Sequence, residues 1–439
     1  MEASQPRNPL LRAREALLGR LDPRMRGAIE ARLTPLAIEG ALVVVLGLAI
    51  LLFSAHGRST AFNNYIRVAD AWRHGHTWID YPGRWLDAVE YKGQHYGVDA
   101  PFPALLALPF VLIWGAQTNQ TMLAIAVATL GLFAAWRLLL RLGVTRVSRV
   151  FLIVFLFAGT DYWWCAELGD VWFLAHLCAL TATLLAMLEL LGKRRAWLIA
   201  LYTVAAVESR NTALLSVPFM VYMFGSGDFA RAAAAMRGEN PDAIPRVNEF
   251  RGLRQIGVVF GVTALLWVGL NEAMWGTITD IGHTIYYHQD TWGSPTGSPF
   301  GLRYLPYQIY SFFFRPPELV QWLQAAQAPF LKVDPNGVAL TFTSPALVLA
   351  FFARKPAGIV RWLWITAALV AVPDFLYYLN GWYQFGMRHA LDFMPFLFVL
   401  MAIACRERMP KWGMTLIVYS AIAGTWGVWW WGTYMRTGD

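Results

Sequence analysis

The chain has 439 residues, 57% of them hydrophobic and only 15% charged, with a mean hydropathy of +0.42. That balance excludes an ordinary water-soluble domain and predicts a polytopic membrane protein. The formal charge of +8 does not point to nucleic acid, because the basic residues fall in short clusters beside apolar runs rather than along one face.

Residues 1–34 carry Arg7, Arg12, Arg14, Arg20, Arg24, Arg26 and Arg32 between leucines. This basic amphipathic pattern predicts a segment lying on the anionic cytoplasmic leaflet. Residues 35–439 then read as one transmembrane domain. Its first run, Leu36 to Ser54, is long enough to cross a bilayer, is too long for a signal-peptide core and has no small-x-small site after it, so a retained first span is predicted. An external loop, 55–100, follows. The stretch Tyr65 to Pro109, which starts in this loop and runs into the apolar piece after it, crowds Asp70, Asp80, Asp87, Glu90 and Asp99 together with His74, His76 and His95, far more titratable groups than a plain connection needs.

The Pro-interrupted run Pro101 to Trp114 is expected to be re-entrant or interfacial. A complete crossing there would put the following Arg137, Arg141, Arg146 and Arg149 outside. Further spans are predicted near Asn119–Leu140, Val150–Trp163, Val171–Leu191, Trp197–Val207, Thr212–Phe224, Ile256–Trp275, Ser344–Ala353, Val360–Tyr378, Ala390–Cys405 and Trp412–Trp431, with a second external segment at 276–342. On this map 25 of the 36 Lys and Arg are cytoplasmic, which predicts an all-α bundle of about eleven crossings, N-terminus inside and C-terminus outside. Cys165, Cys178 and Cys405 have no CxxC spacing, so no zinc site or disulfide framework is indicated.

Five stretches taken in order carry a resemblance. They are GQHYGVDAPFPALLALP from Gly93, GTDYWWCAELGDVWFLAHLCALT from Gly159, MWGTITDIGHTIYY from Met274, GLRYLPYQIYSFFFRPPEL from Gly301 and GWYQFGMRHALDFMPFL from Gly381. Together they resemble the multi-spanning GT-C glycosyltransferases, most closely the bacterial members related to the protein O-mannosyltransferase and aminoarabinose-transferase group. The likeness runs from about Leu36 to Leu400 and lies in the order of the motifs. It implies a GT-C-type bundle with amphipathic external-loop helices, a polyprenyl-phosphate monosaccharide as donor, a lipid, glycan or protein as acceptor, and inverting transfer at the extracytoplasmic face of the cell or inner membrane. Membrane lipids are the other expected partner and nucleic acid is not. Many relatives carry an acidic pair just after the first span; here that place reads Phe62-Asn63-Asn64-Tyr65, so the base is expected further along the loop.

In-line displacement at a sugar needs a base for the acceptor hydroxyl, a positive clamp for the leaving phosphate and stabilisation of an oxocarbenium-like centre. Asp87, between Trp85, Leu86 and Val89, is the leading base, because apolar neighbours favour a carboxylate that takes up protons. Asp80 and Asp99 are rivals, and all three equally suit loop capping. Arg388 is the leading phosphate ligand, with Arg303 and Arg210 behind it. A local pair of Arg388 with Asp392, four residues on, or of Arg210 with Glu208, is the plain structural alternative. His176, Tyr96, His95 and Tyr287 are the substrate-binding candidates, His176 because a polar group inside an apolar span asks for a reason. Asp280, Tyr286, Tyr287, His288, Asp290 and Trp292 precede a Gly293–Pro299 run, a composition that suits a flap over the acceptor site and equally an ordinary exposed loop. No metal ligand set is assigned and no cofactor is required, although external carboxylates near His also suit a divalent cation. The competing class is a transporter or flippase of a lipid-linked or anionic solute, marked by inverted repeats and polar residues in broken helices. Here the charges concentrate in two external loops.

Overall fold

The structure, a computed structural model, describes residues 34–83, 86–289, 298–319, 331–381 and 383–435. The basic segment ahead of Thr34, together with Trp85, Asp290, Trp292 and most of the Gly293–Pro299 run, lies outside the described residues.

Helix α1 (Pro35–Ala55) opens on Thr34, whose hydroxyl accepts the Ala37 N–H at 3.1 Å, with Pro35 preset in the first turn. The loop that follows holds α2 (Asn64–Arg73) and a hairpin of β1 (Val89–Tyr91) and β2 (Gln94–Tyr96), paired antiparallel with Val89 opposite Tyr96. The described chain is predominantly helical, consistent with the all-α expectation, and two short strand pairs interrupt it. The first forms because Lys92 and Gly93 take φ of 50° and 75°, the left-handed pair that matches strand twist in a two-residue turn. After it come α3 (Phe102–Trp114), α4 (Gln120–Arg141), α5 (Arg146–Ala158), α6 (Tyr162–Leu168), α7 (Val171–Leu190) and α8 (Ala196–Val207). A 3-10 turn at Asn211–Ser216 leads into α9 (Val217–Ser226), where Pro218, with no N–H to donate, occupies the first turn. The chain continues through α10 (Asp228–Met236), α11 (Glu249–Trp275), α12 (Gly282–Gln289) and α13 (Leu305–Phe313). The second hairpin, β3 (Glu318–Leu319) with β4 (Leu331–Lys332), precedes a 3-10 segment Pro345–Phe352 and then α14 (Ala357–Leu376), α15 (Ala390–Ala404) and α16 (Lys411–Trp430).

Among the described residues five helices (α1, α4, α7, α11 and α14) are long and apolar enough to cross a membrane, and the bent pairs α5–α6 (47°) and α9–α10 (71°) raise the number to seven. Length and composition therefore stop short of eleven. The 13, 12 and 15 residues of α3, α8 and α15 reach only about 18–23 Å at 1.5 Å per residue, less than a hydrocarbon core of about 30 Å. The predicted span Ser344–Ala353 is a 3-10 segment of 8 residues rather than an α-helix.

The most enclosed span is α7, packed against α4, α8 and α15; α11 lies at the periphery with Leu265 and Leu266 exposed. The break before α7 needs Gly169 twice over: its φ is 68°, and a Cβ there would stand 2.6 Å from Thr121 Cα. Beyond the C-terminal end of α7 the basic turns meet one another. The Thr145 N–H donates to the Arg406 carbonyl at 2.9 Å, Arg237 to the Arg141 carbonyl, and Arg194 to the Pro245 carbonyl at 3.1 Å. Two arginines of these turns, Arg149 and Arg194, are buried. Arg149 forms a bidentate pair with Glu39 of α1 at 2.7 and 2.9 Å, and Arg194 is tucked against Phe224. The acidic loop lies at the opposite end of α7, about 30 Å away.

Candidate functional site

The loop between α1 and α3 is folded back onto the N-terminal end of α7. Thr60 donates to Asp170, the Val171 N–H donates to the Phe62 carbonyl at 3.0 Å, and the fully buried Gln120 amide donates to the Phe62 and Gly169 carbonyls at 3.1 and 2.8 Å. Gln120 thus closes backbone groups left open at the helix break. The Phe102 N–H donates to the Glu208 carbonyl at 2.9 Å, which ties the far end of the loop to the turn after α8.

This docking places Asp87 beside Trp172. The indole Nε1–H donates to Asp87 Oδ2 at 2.8 Å, and the Tyr286 hydroxyl donates to Oδ1 at 3.4 Å. The same indole carries Arg388, whose guanidinium carbon lies 5.7 Å from the ring centroid and 5.5 Å from that of Phe173. Asn64, fully buried in α2, donates to the Asp87 carbonyl at 2.7 Å and to Asp99 Oδ2 at 3.4 Å. Burial first, and the charge of Asp87 second, push the Asp99 carboxyl up to about 7. Asp99 also lines a cavity of about 30 Å³ with Tyr65, Trp72, Ala104, Leu270 and Met274, between α2, α3 and the end of α11.

Five residues into α7 a second polar group is enclosed by α7, α14, α15 and the turn after α8. His176 Nδ1 lies 2.6 Å from Asp392 Oδ1; Arg210 Nε and the Thr212 hydroxyl donate to Asp392 Oδ2 at 3.0 and 2.7 Å. Arg210 Nη2 is 3.1 Å from His389 Nδ1, which is itself 3.2 Å from Asp374 Oδ1. His389 Nδ1 therefore faces a donor on one side and a carboxylate on the other. The contact with Asp374 calls for a proton held between the two. Asp392 takes its cation from Arg210 on another element rather than from Arg388 one turn earlier. The reason is that Arg388 precedes the first turn of α15, so the i,i+4 geometry does not apply to it. By the same geometry Arg210 reaches into the bundle instead of closing a local pair with Glu208. Asp374, His389 and Asp392 present ligand atoms within 4.8 Å of one another. A metal ion there would have to displace Arg210, which already stands 3.9 Å from Asp374 Oδ1.

The structure thus gathers Asp87, Asp99, Arg388, Arg210 and His176 along one end of α7. It places the other predicted residues elsewhere. Asp80 is exposed, with its backbone carbonyl taken by Arg67 at 3.1 Å. His95 stacks on Tyr81 with centroids 4.0 Å apart, and Tyr96 is buried against Trp275 at 5.0 Å, so both serve to seat the hairpin. Tyr287 donates to the Tyr377 hydroxyl at 3.3 Å within a cluster of tyrosines that adjoins the site through Tyr286, 5.9 Å away between ring centroids. Arg303 is exposed and donates to the Ser298 carbonyl at 3.0 Å and to the Tyr304 hydroxyl at 2.6 Å.

Asn64, Trp172, Asp374 and His389 belong to the site without having been singled out from the sequence. Asp374 carried a signal, a lone acid in the apolar run AVPDFL. Trp172 carried none, being one of 21 tryptophans of which most suit an interfacial belt. Comparison of the chain with family models, with curated proteins and with solved structures finds no match.

Proposed function

We propose that the chain is an inverting glycosyltransferase that moves a monosaccharide from a polyprenyl-phosphate donor to a lipid, glycan or protein acceptor. One observation carries this reading: a single indole, Trp172, hydrogen-bonds a loop carboxylate and seats an arginine from the far end of the chain. In-line transfer needs those two groups close together. Asp99, its carboxyl near 7, is matched to taking the acceptor proton at neutral pH, with Asp87 beside it. Arg388 offers a planar fork to the leaving phosphate. The apolar walls of α3 and α11, which flank the cavity at Asp99, suit a prenyl chain.

The positive-inside rule assigns the basic end of α7 to the cytoplasm and hence the acidic loop to the extracytoplasmic face. Eleven crossings follow if α8, α15, α16 and the 3-10 segment each cross alongside the seven candidates. The test is transfer from a panel of radiolabelled polyprenyl-phosphate sugars to membrane extract by the purified full chain. Label moving in wild type but not in Arg388→Ala or Asp99→Asn supports the reading. Wild-type protein that transfers none of the sugars refutes it.

A second reading, transport of a lipid-linked or anionic solute, is favoured by the buried group His176, Asp392, Arg210, His389 and Asp374 and by the two bent helix pairs. The charges are therefore not confined to external loops. In proteoliposomes, movement of an intact labelled donor across the bilayer with no cleavage of its glycosidic bond would select this reading.

A further inference from the structure

Arg388 is held by a residue that neither reading of the sequence nor the proposed chemistry assigns. Its Nη1 donates to Gln384 Oε1 at 3.2 Å, and Gln384 is completely buried. The amide nitrogen of Gln384 lies within hydrogen-bond reach of three backbone carbonyls, those of Asn380 and Gly381 at 2.8 Å each and that of Asn336 at 3.1 Å, which share its two N–H groups. Carbonyls only accept, so the side chain has one permitted orientation: nitrogen toward the three carbonyls, oxygen toward the guanidinium. The surroundings are closed sterically as well. A Cβ at Gly381, where φ is 87°, would stand 2.8 Å from Arg388 Cζ and 2.9 Å from Gln384 Oε1; one at Gly337, where φ is 94°, would stand 2.9 Å from Gln384 Nε2.

The anchor reaches further out. Asp334 Oδ1 accepts the N–H and the side-chain amide of Asn336 at 2.8 and 3.0 Å, while Asp334 Oδ2 accepts from Arg315 at 2.9 Å. A continuous hydrogen-bonded chain thus runs from Arg315, in the second external segment, through Asp334, Asn336 and Gln384 to Arg388. Its last link is neutral. A neutral acceptor fixes the plane of a guanidinium without adding to the negative charge of Asp161 and Asp170 near it, whereas a carboxylate in place of Gln384 would compete with an anionic ligand.

We infer that Gln384 is a positioning residue that aims Arg388 at the phosphate of a lipid-phosphate ligand, with the second external segment as its anchor. This rests on the glycosyltransferase reading, in which Arg388 holds the leaving phosphate. The test compares binding of farnesyl phosphate and of farnesol to the purified full chain in detergent, by microscale thermophoresis, with thermal unfolding recorded for each variant.

Wild type is expected to bind farnesyl phosphate more tightly than farnesol. Arg388→Ala should weaken farnesyl phosphate about 30-fold and Gln384→Leu about tenfold, the scale of one hydrogen bond to a charged group, with farnesol changed less than twofold in both. Gln384→Glu, nearly identical in shape, should weaken farnesyl phosphate at least as much as Gln384→Leu. Should Gln384→Leu not fold, Gly381→Ala crowds the same guanidinium and is read in the same way.

Equal weakening of farnesyl phosphate and farnesol, or no weakening of either, would overturn the role of Gln384 while leaving an effect of Arg388→Ala intact. An unchanged Arg388→Ala, or wild type binding both ligands equally, would instead remove the phosphate clamp, and the positioning role with it.

Discussion

Two groups of buried charges lie at opposite ends of the bundle, and they are built differently. At the basic end Glu39 accepts two hydrogen bonds from Arg149, at 2.7 and 2.9 Å, and one from Trp136 at 3.1 Å, while Arg149 spends its remaining nitrogen on the Val144 carbonyl at 2.7 Å. Every polar atom of that group is paired, as a bond between α1, α4 and α5 requires. At the acidic end His176 Nε2, Asp374 Oδ2 and Asp161 Oδ2 are buried with no hydrogen-bond partner among the described residues. Asp374 and Asp392 there share the guanidinium of Arg210, at 3.9 and 3.0 Å. A closed group of charges fastens helices; an unfinished one is where a ligand or a proton would be accommodated.

This contrast can be broken by substitution. The largest effect expected is on stability. Glu39→Ala strands the Arg149 guanidinium in the core and should cost about 3–5 kcal/mol, seen as a lowered thermal midpoint, with transfer per folded molecule unchanged. Loss of transfer in the protein that stays folded would mean the basic end is not merely a fastening. Next comes Arg388→Ala, which should lower kcat/KM for a lipid-phosphate sugar about 10²–10³-fold with a smaller fall in thermal midpoint than Glu39→Ala. The reverse ranking, stability lost and catalysis kept, would make the acidic end structural as well.

A titration sharpens the comparison further. Asp99, pushed up to about 7, is protonated below that pH and ionised above it. As a general base it should therefore give a rate that falls about tenfold per pH unit below 7 and levels off above it, and Asp99→Asn should erase that limb at a low residual rate. A limb of unchanged midpoint in Asp99→Asn would transfer the role to another group, Asp87 first. The smallest effect belongs to Asp80→Asn. An exposed carboxylate apart from the cluster should change neither rate nor midpoint by more than about twofold and a few tenths of a kcal/mol.

Much of the architecture was legible in the chain because hydropathy is a local property. The ends of α1, α4, α7 and α15 fall within one or two residues of the predicted Leu36–Ser54, Asn119–Leu140, Val171–Leu191 and Ala390–Cys405. The short Pro101–Trp114 run is a 13-residue helix. Hydropathy does not say what an apolar face meets, so α7 and α11 look alike in sequence although one is enclosed and the other peripheral. Three of the candidate acids lie in one loop, yet sequence could not rank them. Asp80 and Asp99 differ in burial, and burial is set by residues such as Asn64, on α2, that lie far from Asp99 along the chain.

By itself the sequence determined a helical, membrane-type chain with its basic turns set apart from an acidic, aromatic loop, since charge and apolar length are carried by each segment alone. Which charges face each other was decided only in three dimensions. Asp392 meets Arg210 across 182 positions, and Trp172 reaches Asp87 across 85. Such pairs depend on how α7, α14 and α15 pack, and a buried ion keeps whichever partner that packing brings within hydrogen-bond reach.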